Sequence, residues 1–242
     1  ILLQNDPDYI TRLAGLPENE RRALLYGDWD SFSGQVFTEW RNNPEGYENR
    51  RHTHVITPFH IPDSWRIYRG FDFGFSKPFS VGWYAVDHDG RMYRIRELYG
   101  CSGVPNEGVK WETARIAEKI REIEKTDKNI KYKQVSGIAD PAIFAESGGE
   151  PISDIMSRYG VYFDKADNTR IAGKMQVHHR LTFDDIGIPM LYVFDTCKHF
   201  IRTIPALVYD ETDVEDVDTN GEDHIYDELR YVAMENPINP PK

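Results

Sequence analysis

The run WRIYRGFDFGFSKPFSVGWYAV, residues 65–86, constrains the fold more than any other stretch of the chain. Ile67, Arg69, Phe71 and Phe73 alternate with Tyr68, Gly70 and Asp72, the period of a strand. A second run, Phe79 to Val86, follows a break at Ser76-Lys77-Pro78. The alternation puts one carboxylate, Asp72, in mid-strand. An ionised carboxylate buried without partners costs several kcal/mol, so Asp72 must be ion-paired, hydrogen-bonded or bound to a cation. Gly70 and Gly74 beside it leave room for something to approach closely. Alone, such an Asp is more often an edge residue or a salt-bridge partner. Later acidic positions argue against that reading.

Asp87-His88-Asp89-Gly90 is a turn signal, and Met92 to Leu98 alternates as a third strand antiparallel to the second. From Pro105 the period changes to that of an amphipathic helix carrying Val109, Thr113, Ile116, Ala117, Ile120 and Ile123 on one face. Val135 to Ala139 reads as a buried parallel strand ending at Asp140-Pro141. Helices are expected over Pro151–Tyr159 and Ile171–Phe183, and strands over Val161–Phe163 and Met190–Phe194. A helix capped by Asp195 or Thr196 follows, then an acidic loop, then a final helix from Asp223 to Glu235. Upstream, residues 1–45 read as a connector containing a short strand, Val36–Trp40, and the polar stretch 42–57 as a boundary before one domain, 46–242. A three-strand meander followed by helix, strand, helix, strand and a last helix is the element order of an α/β ribonuclease H-like fold, a mixed sheet flanked by helices.

In an open α/β sheet, functional groups collect beyond the carboxyl ends of the parallel strands. Asp140 ends such a strand, and Pro141 stops the ladder from continuing; the plainer role for Asp-Pro is opening a turn. Asp223 and Asp227, four apart, share a face of the last helix opposite Ile225, Leu229 and Val232. Asp223 could equally serve as a cap and Asp227 as a solvated charge. Carboxylates converging from a first strand, a fourth strand and a last helix are, however, what two-metal phosphodiester hydrolysis needs.

The formal charge of -11, from 40 Asp plus Glu against 29 Lys plus Arg, excludes coating of nucleic acid by bulk electrostatics and leaves only local basic patches. Cys101 and Cys197 make neither a disulfide framework nor a cysteine zinc site. No apolar run approaches membrane length, so no membrane partner is expected. The chain starts at Ile1 and reads as a piece of a longer polypeptide.

FDFGFSKPFSVGWY, GIADPA and DHIYDELRYVAM resemble the three acidic motifs of the nuclease domain of bacteriophage large terminase subunits, the genome-packaging motors. LAGLPENERRALLYGDWDSFSGQVFTEW resembles the segment joining that family's ATPase to its nuclease. The resemblance spans nearly the whole chain. It implies an endonuclease that cuts concatemeric double-stranded viral DNA with little sequence preference, in the cytoplasm of an infected bacterium. Catalysis would rest on Asp72, Asp140 and Asp223. Two ions, Mg2+ or Mn2+, would be held by these residues, with Asp227 a further ligand or a neighbour of the ligands. The implied partners are an upstream ATPase domain, the small terminase subunit and the portal protein.

No G-x-x-x-x-G-K-[ST] occurs, so this stretch is not the motor and ATP is not expected to bind. His224 beside Asp223 and Glu97 near the third strand's end are secondary ligand candidates. Lys174, Arg170 and His178-His179 are candidates for phosphate contact. Two further readings are a non-catalytic DNA-clamping module and a ribonuclease H-like junction resolvase.

Overall fold

The structure is a computed structural model that describes residues 34–146, 149–210 and 216–239. Seven strands form one mixed sheet: β1 (Val55–Ile56), β2 (Arg66–Asp72), β3 (Ser80–Val86), β4 (Met92–Tyr99), β5 (Val135–Ala139), β6 (Asp164–Lys165) and β7 (Leu191–Phe194). They lie in the order β1-β7-β4-β3-β2-β5-β6. β2, β3 and β4 are the expected antiparallel meander. β5 pairs parallel to β2, β6 to β5, β7 to β4 and β1 to β7. All strands but β3 therefore run the same way, and their carboxyl ends share one edge of the sheet.

The helices are α1 (Thr113–Thr126), α2 (Ile152–Arg158), α3 (Arg170–Leu181), α4 (Lys198–Thr203) and α5 (His224–Glu235). The period-2 pattern of β2 divides two covered faces. Gly70 and Asp72 point to α5, where they meet Glu228 and His224. Arg69 points the other way and pairs with Glu124 of α1, a buried contact that Trp83 Nε1 joins at 3.2 Å. Ile67 to Asp72 and all of β3 are accordingly buried. α3 packs on α5, so the last helix lies between the sheet and α3.

Several expectations are corrected. Asp72 is the last residue of β2, paired with Ser80, rather than a mid-strand residue. Val36–Trp40 is no strand: Gln35 makes one antiparallel bridge to Val208, and the Trp40 amide closes a turn on the Phe37 carbonyl. Val36 and Phe37 are nonetheless buried in the core. The helix expected from Val109 begins at Thr113, because the Val109 amide bonds to the Gly100 carbonyl and extends the chain beside β4. The strand expected at Val161–Phe163 pairs instead at Asp164–Lys165; the Val161 amide is used to close α2 on the Met156 carbonyl. β1 lies within the stretch expected to be irregular, and a two-residue strand carries no readable period. Residues 1–33, most of the expected connector, lie outside the described residues.

Candidate active site

The sheet topology brings the acidic motifs to one edge. Asp72 closes β2, Asp140 follows the last residue of β5, and β2 and β5 are adjacent, with Phe71 opposite Ala139. Asp223 is the N-cap position of α5, and Asp227 lies one turn further on. α5 presents two stripes to this edge. Asp223, Asp227 and Tyr231 recur at four-residue spacing, and His224 and Glu228 form the neighbouring stripe.

Each carboxylate has defined partners. Asp72, 8% exposed, bonds through Oδ2 with His224 Nδ1 at 3.1 Å. Burial pushes its carboxyl up to about 7; the His224 contact opposes this, and Asp227 and Asp223 add to it. Asp223 is also buried, and burial and the charge of Asp227 push it up to about 6, against the pull of His224. Asp140 accepts from the Ala142 amide at 2.7 Å and from the Tyr231 hydroxyl at 2.8 Å. Asp227 Oδ1 faces Arg230 Nη2 at 2.9 Å and Arg170 Nη1 at 3.5 Å.

The His224 ring fixes one proton count. Asn106 donates through Nδ2 to the Asn220 carbonyl at 2.9 Å, which turns its Oδ1 toward His224 Nε2 at 3.2 Å. Nε2 must then carry hydrogen, and so must one of Nδ1 or Asp72 Oδ2. Burial works against the charged ring, but Asp72, Asp223 and Asp227 outweigh it and raise the His224 pKa.

Tyr231 and Asn106 are the members of this site that sequence reasoning missed. Tyr231 sits four residues after Asp227 on the acidic stripe, a spacing that could have found it. Its hydroxyl is pushed well above the usual tyrosine range by burial and then by Asp227, Asp72 and Asp140, and so remains a donor. Asn106 lies in a loop and carries no spacing signal.

The other candidates lie apart from the carboxylates or have structural partners. Glu97 accepts from the His199 and Phe200 amides at 2.8 and 3.2 Å, capping α4. His178 Nδ1 meets Glu39 at 2.9 Å. Lys174 is buried with its ammonium 5.0 Å from the Tyr209 ring centroid. Arg170 is ion-paired to Asp216 as well as to Asp227. Glu222, at the end of the acidic loop, forms two bonds with Arg202 and accepts from Tyr99. Residues 211–215 of that loop lie outside the described residues.

Among solved structures, the large terminase from the thermophilic bacteriophage D6E superposes with a TM-score of 0.60 at 20% identity, covering 83% of this chain and 45% of that one. The P22 large terminase nuclease domain gives 0.60 at 18% identity, covering 84% of this chain and 92% of that one. The large terminase nuclease from thermophilic phage G20c with bound cobalt gives 0.51 at 11% identity. The chain has the fold of a large-terminase nuclease domain. It spans about half of the D6E terminase, 45% to 52% in different crystal structures, and nearly all of the P22 nuclease domain. No protein-family model and no curated protein matches the sequence.

Among the described residues, no three His, Cys, Asp or Glu side chains stand close enough as placed to hold a metal ion. The donor set nevertheless suits a hard divalent cation. It offers carboxylate oxygens and one imidazole, and two of its carboxyls, Asp72 and Asp223, are raised by burial and by neighbouring acids. A bound cation would relieve both effects.

Proposed function

We propose that the chain is the nuclease part of a large terminase, a metal-dependent endonuclease that cuts concatemeric double-stranded viral DNA during genome packaging. The observation that carries this reading is the meeting of Asp72, Asp140, Asp223 and Asp227 at one sheet edge, with Asp72 and Asp223 buried and raised. Structural groups seldom gather like charges in this way. Asp72, Asp140 and Asp223 would hold two ions, Mg2+ or Mn2+, with Asp227 beside them. Bound there, such ions would supply Lewis-acid charge at a scissile phosphate.

The protein's own groups have separate tasks. Tyr231 fixes the Asp140 carboxylate through one oxygen, and Asn106 orients His224 against Asp72. Arg170 and Arg230 hold Asp227 in place and offset its charge. His224 Nδ1 occupies Asp72 Oδ2, so a cation held by Asp72 would compete with a proton for that carboxylate.

By this reading the upstream ATPase, the small terminase subunit and the portal are partners in the full motor, and the site of action is the host cytoplasm. No helix among the described residues is long and apolar enough to cross a membrane. The test is cleavage of supercoiled plasmid with Mn2+, with EDTA as control. Asp72→Ala, Asp140→Ala and Asp223→Ala should each abolish cutting while the far-UV circular dichroism stays unchanged. If all three cut like the parent, the nuclease reading is wrong and a DNA-clamping module takes its place.

A further inference from the structure

The opposite edge of the sheet is different in character. Arg66 opens β2 and Val135 opens β5, so this edge lies one strand length, about 20 Å, from Asp72 and Asp140. Three hollows adjoin there, of about 800, 600 and 480 Å³. The first two share Lys131, Tyr132 and Lys133, and the second and third share Arg121 and Lys125. Lys128 and Arg66 line the outer end of the first. On a chain of charge -11 this is a local reversal of sign.

Nearby acids are mostly ion-paired, two of them to cations of the hollows themselves, Lys133 and Arg121. Asp63 pairs with Lys133, Glu122 with Lys119, Glu124 with Arg69 and, at 3.5 Å, with Arg121, and Asp127 with Arg96. Glu118 lines the last hollow as well. Lys125 and Lys128 form no ion pair among the described residues, and Arg66 and Lys131 lie over the Tyr68 and Tyr132 rings.

Aromatic rings alternate with these cations. Tyr132 is 97% exposed and stands on the ridge between the first two hollows; Tyr162, 69% exposed, lines the second, and Tyr159 the third. Tyr132 has φ +71°, a left-handed conformation that is strained for a bulky side chain. Its neighbours enforce it. Ile130 is buried, and Lys133 Nζ donates to the Ile61 and Pro62 carbonyls at 2.8 and 2.9 Å. The loop thus holds an aromatic ring out in water, with only the Lys131 ammonium lying over it at 5.5 Å from the ring centroid.

From this we infer that the row of hollows is a binding track for single-stranded nucleic acid, with phosphates following Arg66, Lys128, Lys131, Lys125 and Arg121 and a base stacking on Tyr132. A duplex keeps its bases stacked inside and has nothing to offer a protruding ring. An unpaired strand presents a base face and phosphates at once. The inference goes beyond the proposed cleavage and does not depend on it.

The test is fluorescence anisotropy of labelled oligothymidine with the full chain in EDTA at low salt, so that no divalent ion or cutting contributes. The parent should bind with a marked salt dependence. Tyr132→Ala should weaken binding roughly tenfold, as loss of one stacking partner does, and Lys128→Glu with Lys131→Glu should abolish it. All three side chains are on the surface, and circular dichroism will verify folding. Equal binding by parent and both variants would overturn the inference. So would a parent that prefers duplex of the same length. Displacement of the strand by polyglutamate at equal charge concentration, with Tyr132→Ala indifferent, would assign the surface to an acidic protein instead. Failure here with Mn2+-dependent plasmid cutting intact leaves the nuclease reading standing; binding without cutting does the reverse.

Discussion

Gly82 of β3 lies directly opposite Gly70 of β2, and the space where two side chains would stand is filled by the carboxylate of Glu228 from α5. Glu228 is fully buried there, accepting from Ser80 Oγ at 2.9 Å and from Arg94 Nη1 at 2.8 Å. This contact sets the rotation of α5. Because Asp223, His224 and Asp227 precede Glu228 on the same helix, the paired glycines also fix where the acidic stripe points.

A Cβ at Gly70 would come 2.8 Å from the Glu228 backbone carbonyl, and one at Gly82 2.3 Å from Glu228 Oε1 and Arg94 Nη1. Gly70→Ala must therefore move the helix itself, whereas Gly82→Ala displaces a buried ion pair. Each should cost about 2–3 kcal/mol, a fall in melting temperature of roughly 5–10 °C. Glu228→Ala leaves Arg94 buried without its main partner and should cost about 3–5 kcal/mol. Differential scanning calorimetry decides; a loss under 1 °C in all three variants would mean that the notch does not position α5.

The edge of carboxylates makes a second prediction, about metal. A divalent ion that binds the folded chain and not the unfolded one raises stability by about 2.7 kcal/mol at a hundredfold excess over Kd. Mn2+ should thus raise the melting temperature by roughly 5–10 °C. In Asp72→Asn the buried charge is gone, so the metal-free protein should melt at or above the parent temperature while the Mn2+ shift shrinks. Melts that Mn2+ leaves unmoved in the parent would argue against a cation site at Asp72.

The strands β2 to β5 and β7, and the acidic positions at their edge, were legible in the sequence because they rest on periods and turn signals. Two strands with an alternation, a turn signal and an Asp four residues from another Asp all have fixed geometric meaning. What stayed hidden depends on contacts between distant residues. Gly70 read correctly as a place of close approach, yet nothing marked Glu228 as the group that approaches, since a Glu on a helix is normally solvated. Glu97 resembled a ligand because it stands near the carboxyl edge; only the fold shows its oxygens bonded to two amides of α4. Val161 has the residue type of a strand, but the amide is already used to close a helix.

His54 supplies a pH-dependent term remote from the carboxylates. It is fully buried, stacked on Trp40 with ring centroids 5.1 Å apart. Nδ1 accepts from the Arg41 amide at 2.9 Å, so Nε2 carries the hydrogen it donates to the Leu181 carbonyl at 2.8 Å. Burial lowers its pKa to about 4, against about 6.5 unfolded. Between these values the unfolded chain binds a proton that the fold does not, so this contribution to stability is present above pH 6.5 and is lost as pH falls toward 4. The loss at the lower end is on the order of 3 kcal/mol. His54→Phe should be less stable at pH 7 but should fall less between pH 6.5 and 4.5; parallel curves for parent and variant would show that His54 titrates normally.

Glu97 separates a structural carboxylate from the proposed catalytic ones. Its oxygens satisfy two of the amide donors left free at the start of α4, and it lies 3.6 Å from Arg94 Nε. α4 has no side-chain cap of its own, since Cys197 occupies the N-cap position and makes none. Glu97→Ala should therefore cost about 1–2 kcal/mol, the usual price of a lost N-cap. Glu97→Gln, which keeps one acceptor, should cost less. Neither variant should change the Mn2+ concentration at which plasmid cutting is half-maximal, measured below the melting transition. A tenfold rise in that concentration for Glu97→Gln would instead make Glu97 a cation ligand despite its bonds to α4.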